Sequence, residues 1–484
     1  MAYTKDELLA LVREAGSEMT LRQKLRLTVL LAIPAIIAHI SIIAMQMIDA
    51  AMLGHLSTTK ASAVGLVSTT IWLFGGLSAA FAAGFSVQVA HRVGAGDNKG
   101  ARSVIRQGLF SGIIFAILLG SIGLAIAPHL PHWLGASETI CHDASRYFTI
   151  FSLGLPFTIT NNIAAGSLRC SGNVKVPSIL MVIMCCLDIC FNYIFIYRMD
   201  MGTDGAALGT LLAYVIIVIF MVGYMTLKDK LLNFRQDEVL DFIPKVKILK
   251  KTGRIGFPIG LERGVMCTAQ IAISSIIAPL GSIAIAANTF AINVESLCYM
   301  PGHGVAEAAT TLVGQSKGAS KRELMHSFAW ICMALGVGIM AFMGLIMWLF
   351  APEMMSLITP DKTVIDLGAD ILRIEAWAEP GFAAAIVAMS VFVGAGKPLI
   401  PSLMNLGSIW LVRVSLTLLL APTMGLRGVW IAMAIELCFR GTIFTARLCT
   451  RKWSFIKDRS KLNDKMKKKK KKIQVCIFAY SHYL

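Results

Sequence analysis

Charge is what this chain is short of. Of its 484 residues 15% are charged against 56% hydrophobic, and a mean hydropathy of +0.70 describes too little polar surface to cover a soluble globule of that size. It has no Gly-Lys-Ser/Thr loop, which excludes a P-loop nucleotide engine within the chain, so uphill work would need an ion gradient or another chain. It has no His-Glu-x-x-His pair, no Gly-x-Ser-x-Gly elbow and no His-rich acid box, and these absences argue against an enzyme. A disulfide framework is not expected either. The eleven cysteines are an odd number, and most of them, among them Cys185, Cys186, Cys190, Cys267, Cys298 and Cys332, fall inside apolar runs where they read as small packing residues. Cys185, Cys186 and Cys190 lack the His partners and polar second shell of a thiolate metal site, so no metal and no cofactor are expected. The opening Met1–Arg26 contains acids and lacks a compact apolar core, and no cleavable signal is expected in it.

What is present is a series of apolar runs of about 20 residues, the length that crosses roughly 30 Å of hydrocarbon. Six occupy the first half, around Leu27–Leu53, Ala61–Ala83, Val104–Ala127, Tyr147–Leu168, Val174–Ile196 and Gly205–Thr226. Six more follow, around Ile255–Ala278, Ile283–Val305, Ser327–Phe350, Ile371–Val393, Leu399–Leu420 and Gly428–Thr450. They are too long for barrel strands and do not alternate, so the expected fold is an all-α polytopic membrane protein with twelve transmembrane helices. The halves also echo each other. Val93-Gly94-Ala95-Gly96 is answered by Val313-Gly314-Gln315-Ser316, and Pro34, Pro156, Gly172 and Pro177 by Pro258, Pro380, Gly396 and Pro401. An even number of spans per half sets both halves in the membrane in the same direction, a parallel repeat whose lobes hold cargo between them.

The organisation expected is an N-terminus over residues 1–26, an N-lobe over 27–226, a basic linker over 227–253, a C-lobe over 254–450 and a basic tail over 451–484. Lysine and arginine crowd one side, with Arg22, Lys24, Arg26, Arg92, Lys99, Arg102, Arg106, Lys175, Lys317, Lys321, Arg322 and Lys397, which places both termini in the cytoplasm. That bias accounts for the net charge of +17, and without an interleaved aromatic platform it gives no reason to expect nucleic acid as a partner. The run Lys467–Lys472 reads either as a lipid-binding tail or as a frame slip through an adenine-rich tract, and it is assigned no function.

Chemistry is expected where polar groups lie inside the spans, because an ionisable side chain near the bilayer centre costs at least about 2.5–3.5 kcal/mol. Asp188 lies roughly 17 Å past Pro177 along its helix, near the midplane, with Asn192 one turn on and on the same face. Thr210 on the next span and Asp49 late in the first match that depth. An acid, an acid–amide pair and a hydroxyl could together hold a proton or a sodium ion. They read equally as a helix end near water and an interhelical hydrogen bond.

The order of Met47-Ile48-Asp49-Ala50-Ala51-Met52-Leu53-Gly54-His55-Leu56, Val93-Gly94-Ala95-Gly96, Asn192-Tyr193-Ile194-Phe195-Ile196-Tyr197 and Met300-Pro301-Gly302-His303-Gly304-Val305-Ala306 within two six-helix halves resembles the multidrug and toxic compound extrusion (MATE) transporters, over about Leu27 to Thr450. The resemblance implies a two-lobed antiporter of a bacterial inner membrane. It would expel organic, often cationic and aromatic compounds by alternating access while H+ or Na+ flows inward. It also implies a first-lobe cation site at Asp49, Asp188, Asn192 and Thr210, with the acid of the fifth-helix pair at Asp188. Glu262, Glu295 and Glu379 are candidates for a second-lobe cation or drug site, Glu375 lies beside Glu379, and Pro34 is a candidate helix kink. Arg373 is a possible partner for these acids, Glu436 and Arg440 are expected to form an ion pair, and His39 a polar contact. Membrane lipids are the expected surroundings and a monomer the expected state. The alternatives are a lipid-linked oligosaccharide flippase of the related fold and an intramembrane enzyme.

Overall fold

The computed structural model describes residues 3–14, 18–237 and 241–454, and all regular structure among them is helical. A short helix α1 (Lys5–Arg13) is followed by α2 (Leu21–Leu56), α3 (Thr58–Gly94), α4 (Asn98–Ile126), the one-turn α5 (Leu130–Trp133), α6 (Glu138–Ser171), α7 (Lys175–Asn192) with a π-helical continuation Tyr193–Arg198, and α8 (Gly202–Leu227). The second half comprises α9 (Val246–Ile277), α10 (Ser282–Gly318), α11 (Arg322–Ser356), α12 (Lys362–Ala376) and α13 (Glu379–Gly394). It ends with α14 (Leu399–Gly407), joined through π-helical Ser408–Val414 to α15 (Ser415–Met424), and with α16 (Leu426–Cys449).

Ten of these units are long and apolar enough to cross a membrane, and α12 with α13 makes an eleventh broken by a 57° bend. The 34-residue α6, which is more polar, is not among them and stands where the fourth apolar run was expected. The bend interrupts a span expected to run unbroken over Ile371–Val393. Pro380 has no N–H to give the carbonyl of Ala376, so the helix divides there. Polar starts define the helices. Thr4 with Glu7 and Thr20 with Gln23 form capping boxes at α1 and α2, and the Asp97 side chain accepts from Gly100 N–H at α4. Ile113, Ile114, Ile117 and Leu118 on α4 and Ile219 and Phe220 on α8 stay exposed, an apolar outer surface suited to lipid.

The halves meet with the exchanged pairing a two-fold repeat requires, α2 on α10 and α3 on α9. The two sequence echoes touch each other: a side chain at Gly94 would run into the backbone of Gln315, and one at Gly314 would lie 2.8 Å from the Ala90 methyl. Around this seam, at the basic end of the helices, Gln315 Nε2 donates to Cys170 O at 2.8 Å and Gln88 Nε2 to Thr252 Oγ1 at 2.9 Å, while His91 Nε2 lies 2.8 Å from Gly394 O. Helix α1 braces the seam from below. It buries Leu8, Leu9 and Val12, Arg13 donates to Ser171 O at 2.9 Å and to Gln315 Oε1 at 3.4 Å, and Lys321 Nζ donates to Leu11 O at 2.9 Å.

The basic segment between α8 and α9 is tied down by Asp237, which pairs with Arg102 at 2.7 Å and Arg106 at 2.6 Å. Hydrogen bonding from Arg102, then from Arg106, holds the Asp237 carboxyl down at about 2 against the opposing effect of burial.

Candidate functional site

The structure brings Asp49, Asp188, Asn192 and Thr210 together. Asn192 Nδ2 donates to Asp49 Oδ1 at 2.8 Å and to Asp188 Oδ2 at 3.2 Å, so one amide bridges the acids of α2 and α7. Asp49 and Thr210 of α8 both lie within electrostatic reach of the Asp188 carboxyl. Asp188 and Asn192 are fully buried, while Asp49 and Thr210 are half-buried. Asp188 Oδ1 and Asn192 Oδ1 are buried oxygens without a hydrogen-bond partner. Two carboxyl groups bridged by one amide, with spare buried oxygens, are an arrangement that can share a proton or surround a hard cation.

Local backbone features make this convergence possible. Gly209 on α8 packs so closely on α7 that an added Cβ would meet the Asn192 amide oxygen and lie 3.1 Å from its Cγ. Immediately beyond Asn192 the helix widens into its π-helical turn, a local departure common at functional sites. Tyr147 of α6 and Tyr214 of α8 stand in the electrostatic field of these acids. Sequence reading did not single them out, although Tyr147 opens the fourth apolar run.

The second-lobe acids fall into two groups rather than one. Glu262 of α9 accepts from Asn405 Nδ2 of α14, with Ser402 of the same helix within its electrostatic reach. Arg440 Nη1 of α16 donates to Asn405 Oδ1 at 2.7 Å, Arg440 Nε lies 3.2 Å from Glu436 Oε1, and Ser408 Oγ donates to the same oxygen at 2.6 Å. The expected Glu436–Arg440 pair thus forms, inside a buried polar network. Glu295 of α10 joins Glu375 and Glu379 at the α12–α13 break, each in the field of the others, with Arg413 nearby. Glu375 and Glu379 are fully buried and none of their four carboxyl oxygens has a hydrogen-bond partner. Arg373 points elsewhere, donating to Trp348 O at 3.5 Å, so it does not pair with either acid.

The repeat places the first-lobe site and the Glu262 network on corresponding helices, but at different depths. Asp49 follows Pro34 by about four turns and Asp188 follows Pro177 by about three, whereas Glu262 and Asn405 each follow their proline by about one. The network therefore lies nearer the basic end. Between the lobes, a Glu307 carboxyl oxygen of α10 lies 3.3 Å from His39 of α2 and the other 3.3 Å from Arg169 of α6. Pro34 lies inside α2, which is helical from Leu21 to Leu56.

The MatE family model matches residues 34–194 and 258–419, one copy opening at each of the paired prolines. The chain is 28% identical to a probable multidrug resistance protein NorM of Thermotoga maritima, over 87% of this chain and 92% of that one. It is 25% identical to a protein of the same description from Chromobacterium violaceum, over 86% and 91%. Among solved structures, a MOP superfamily transporter from Pyrococcus furiosus superposes with TM-score 0.86 at 23% identity, covering 95% of this chain and all of that one. A multidrug resistance MATE transporter in an outward-facing conformation superposes with TM-score 0.85 at 24% identity, covering 93% and 100%.

Proposed function

The chain belongs to the MatE family of membrane multidrug efflux transporters, and from that premise we propose that it is a cation-coupled antiporter that exports organic cations by alternating access. The observation that carries this reading is the buried meeting of Asp49, Asp188, Asn192 and Thr210, an oxygen-only set with unpartnered acceptors. With H+ or Na+ bound there, one of the two negative charges is neutralised, the repulsion between the carboxylates is lifted, and the helices α2, α7 and α8 pack as a dry unit. With the site empty, the paired carboxylates repel and draw in water or the next cation. A ligand shifts such an equilibrium by its differential affinity for the two states, so cation and cargo compete through the shape of the first lobe.

The lobes are drawn together at the basic end, which supports reading this conformation as closed to the cytoplasm. The unpartnered carboxyls of Glu375 and Glu379, with Glu295 beside them, support a cationic cargo or a second cation in the other lobe, and Glu262 is a further candidate within its own network. This excess of buried acid over buried base favours cationic drugs over an anionic lipid-linked sugar.

The test is efflux of a fluorescent cationic dye from proteoliposomes with proton and sodium gradients imposed separately. One gradient is expected to drive export, and Asp49→Asn and Asp188→Asn are each expected to reduce it at least about ten-fold, the consequence of removing one charge from a coupled pair. Undiminished efflux in both variants would overturn the assignment.

A further inference from the structure

One face of α10 is polar where its counterpart in the first half is not. Glu295, Tyr299, His303, Glu307, Thr311 and Gln315 follow one another at every fourth residue, a shallow spiral along one side of the helix that runs roughly 30 Å from end to end. In the register that pairs Gly94 with Gly314, the positions matching Glu295, Tyr299, His303 and Glu307 are Gly75, Ala79, Ala83 and Val87 of α3. A helix in this place is thus built without polar groups in the first half, and ionisable side chains within a membrane are costly. We propose that this face of α10 is a proton path, in which Tyr299, His303 and Glu307 relay protons between the Glu295, Glu375 and Glu379 centre and the basic end of the molecule.

The groups stand in succession. Tyr299 lies within electrostatic reach of Glu295 and Glu379, and its ring centroid is 5.8 Å from that of His303. The His303 ring is 5.9 Å from that of His39 on α2, and His39 Nε2 is 3.3 Å from Glu307 Oε1. Beyond Glu307 the face meets the seam between the lobes, where Thr311 Oγ1 donates to Arg169 O at 3.2 Å and Gln315 Nε2 to Cys170 O at 2.8 Å. Tyr299, His303, Glu307 and His39 are all half-buried, so this stretch borders the space between the lobes rather than a packed core. A polar gap wider than a hydrogen bond is one that a single water bridges.

The side chains suit a proton and not a sodium ion. A phenol and two imidazoles offer a hard cation few oxygens, and Arg263 of α9, which faces His303 together with His39 and Glu307, repels a metal cation. A proton needs only groups that accept at one atom while releasing at another. A proton leaving the acid centre is taken by the Tyr299 oxygen as that hydroxyl gives its own proton toward His303. His303 binds it on one ring nitrogen and gives up a proton from the other, and Glu307 receives that proton as a neutral carboxyl. Only O–H and N–H bonds form and break. A neutral Glu307 no longer attracts Arg169 across the lobes, so the proton's arrival loosens the seam and lets it leave at the basic end. The path rests on the cation-coupled antiport proposed above and assigns the cation of its second lobe.

The test uses the full-length protein in proteoliposomes, recording dye efflux and the pH of the lumen with a trapped fluorophore, under a proton gradient and separately under a sodium gradient. Tyr299→Phe removes a hydroxyl alone, and His303→Gln keeps a polar side chain that takes up no proton. Each is expected to keep a melting temperature near that of the wild type and to reduce proton-driven efflux, with its proton flux, about ten-fold. Because the groups act in series, the two changes together are expected to cost no more than the worse of them. His303→Glu, whose side chain carries a proton, is expected to recover at least about half of the wild-type rate. Wild-type efflux in both single variants, or equal loss in His303→Gln and His303→Glu, would overturn the path. Wild-type protein driven by sodium alone would overturn it while leaving the antiporter standing, and protein driven by neither gradient would overturn the antiport reading and the path with it.

Discussion

Asn192 touches both acids of the first-lobe site with a single nitrogen, so the position of that amide decides whether Asp49 and Asp188 act as one group. Gly209 leaves the space in which it sits. Gly209→Ala is expected to displace the amide and to cost about 1–3 kcal/mol of packing strain, read as a lower melting temperature together with a loss of gradient-driven dye efflux. A loss of stability with efflux intact would show that Asn192 only packs. Asp49, Asp188, Asn192 and Thr210 were legible in sequence as a group because depth in a helix follows from counting residues past Pro177 and along each span. Tyr147, Tyr214 and the Asn405 bridge were not, because which side chains face one another depends on how each helix is rotated, and counting along one helix does not reveal its neighbour's rotation.

At the scale of the element, proline acts in two ways in this molecule. Pro380 accompanies a break of 57° between α12 and α13 and exposes the Glu375–Glu379 face to Glu295, while Pro34 lies within an α2 that stays helical. A proline in a helix interior forfeits a hydrogen bond and costs about 3 kcal/mol, so α2 bears a standing weakness between the basic end and Asp49. Pro34→Ala is expected to leave the melting temperature unchanged or higher and to reduce dye efflux several-fold. Export at the wild-type rate would show that α2 need not bend there. A span over Ile371–Val393 was readable from hydropathy, whereas its bend was not, because a proline marks a possible break and tertiary packing determines whether the helix uses it.

For the molecule as a whole, closure at the basic end rests on the meeting of the two echo motifs, on the Glu307 bridge between lobes and on the α1 brace. Removing residues 1–16 is expected to keep the membrane fold and to loosen the seam. Cys170, now buried with its carbonyl held by Gln315, should then react several-fold faster with a membrane-impermeant maleimide, as followed site by site with mass spectrometry. Unchanged reactivity would mean that α1 is not part of the closure. The segment between the lobes carries a pH signature of its own. The Asp237 carboxyl is held at about 2, below its ordinary value, so its contribution is complete above the ordinary carboxyl range and is lost as pH falls through about 2. Asp237→Asn is accordingly expected to speed limited proteolysis between α8 and α9 at pH 7, and the difference from wild type should shrink as the pH approaches 3.

The sequence by itself determined the membrane as solvent, the all-helical fold and the duplication, since these depend on hydropathy, segment length and repeated motifs, all of which are local or additive along the chain. It also set the depth of each buried acid. Tertiary structure alone decided that Glu262 and Glu295 belong to different centres, that the echo motifs touch, and that His39 stands beside Glu307. Each of these joins residues far apart in the chain, and such contacts arise from helix rotation, close backbone approach and side-chain packing, which no single stretch of sequence contains.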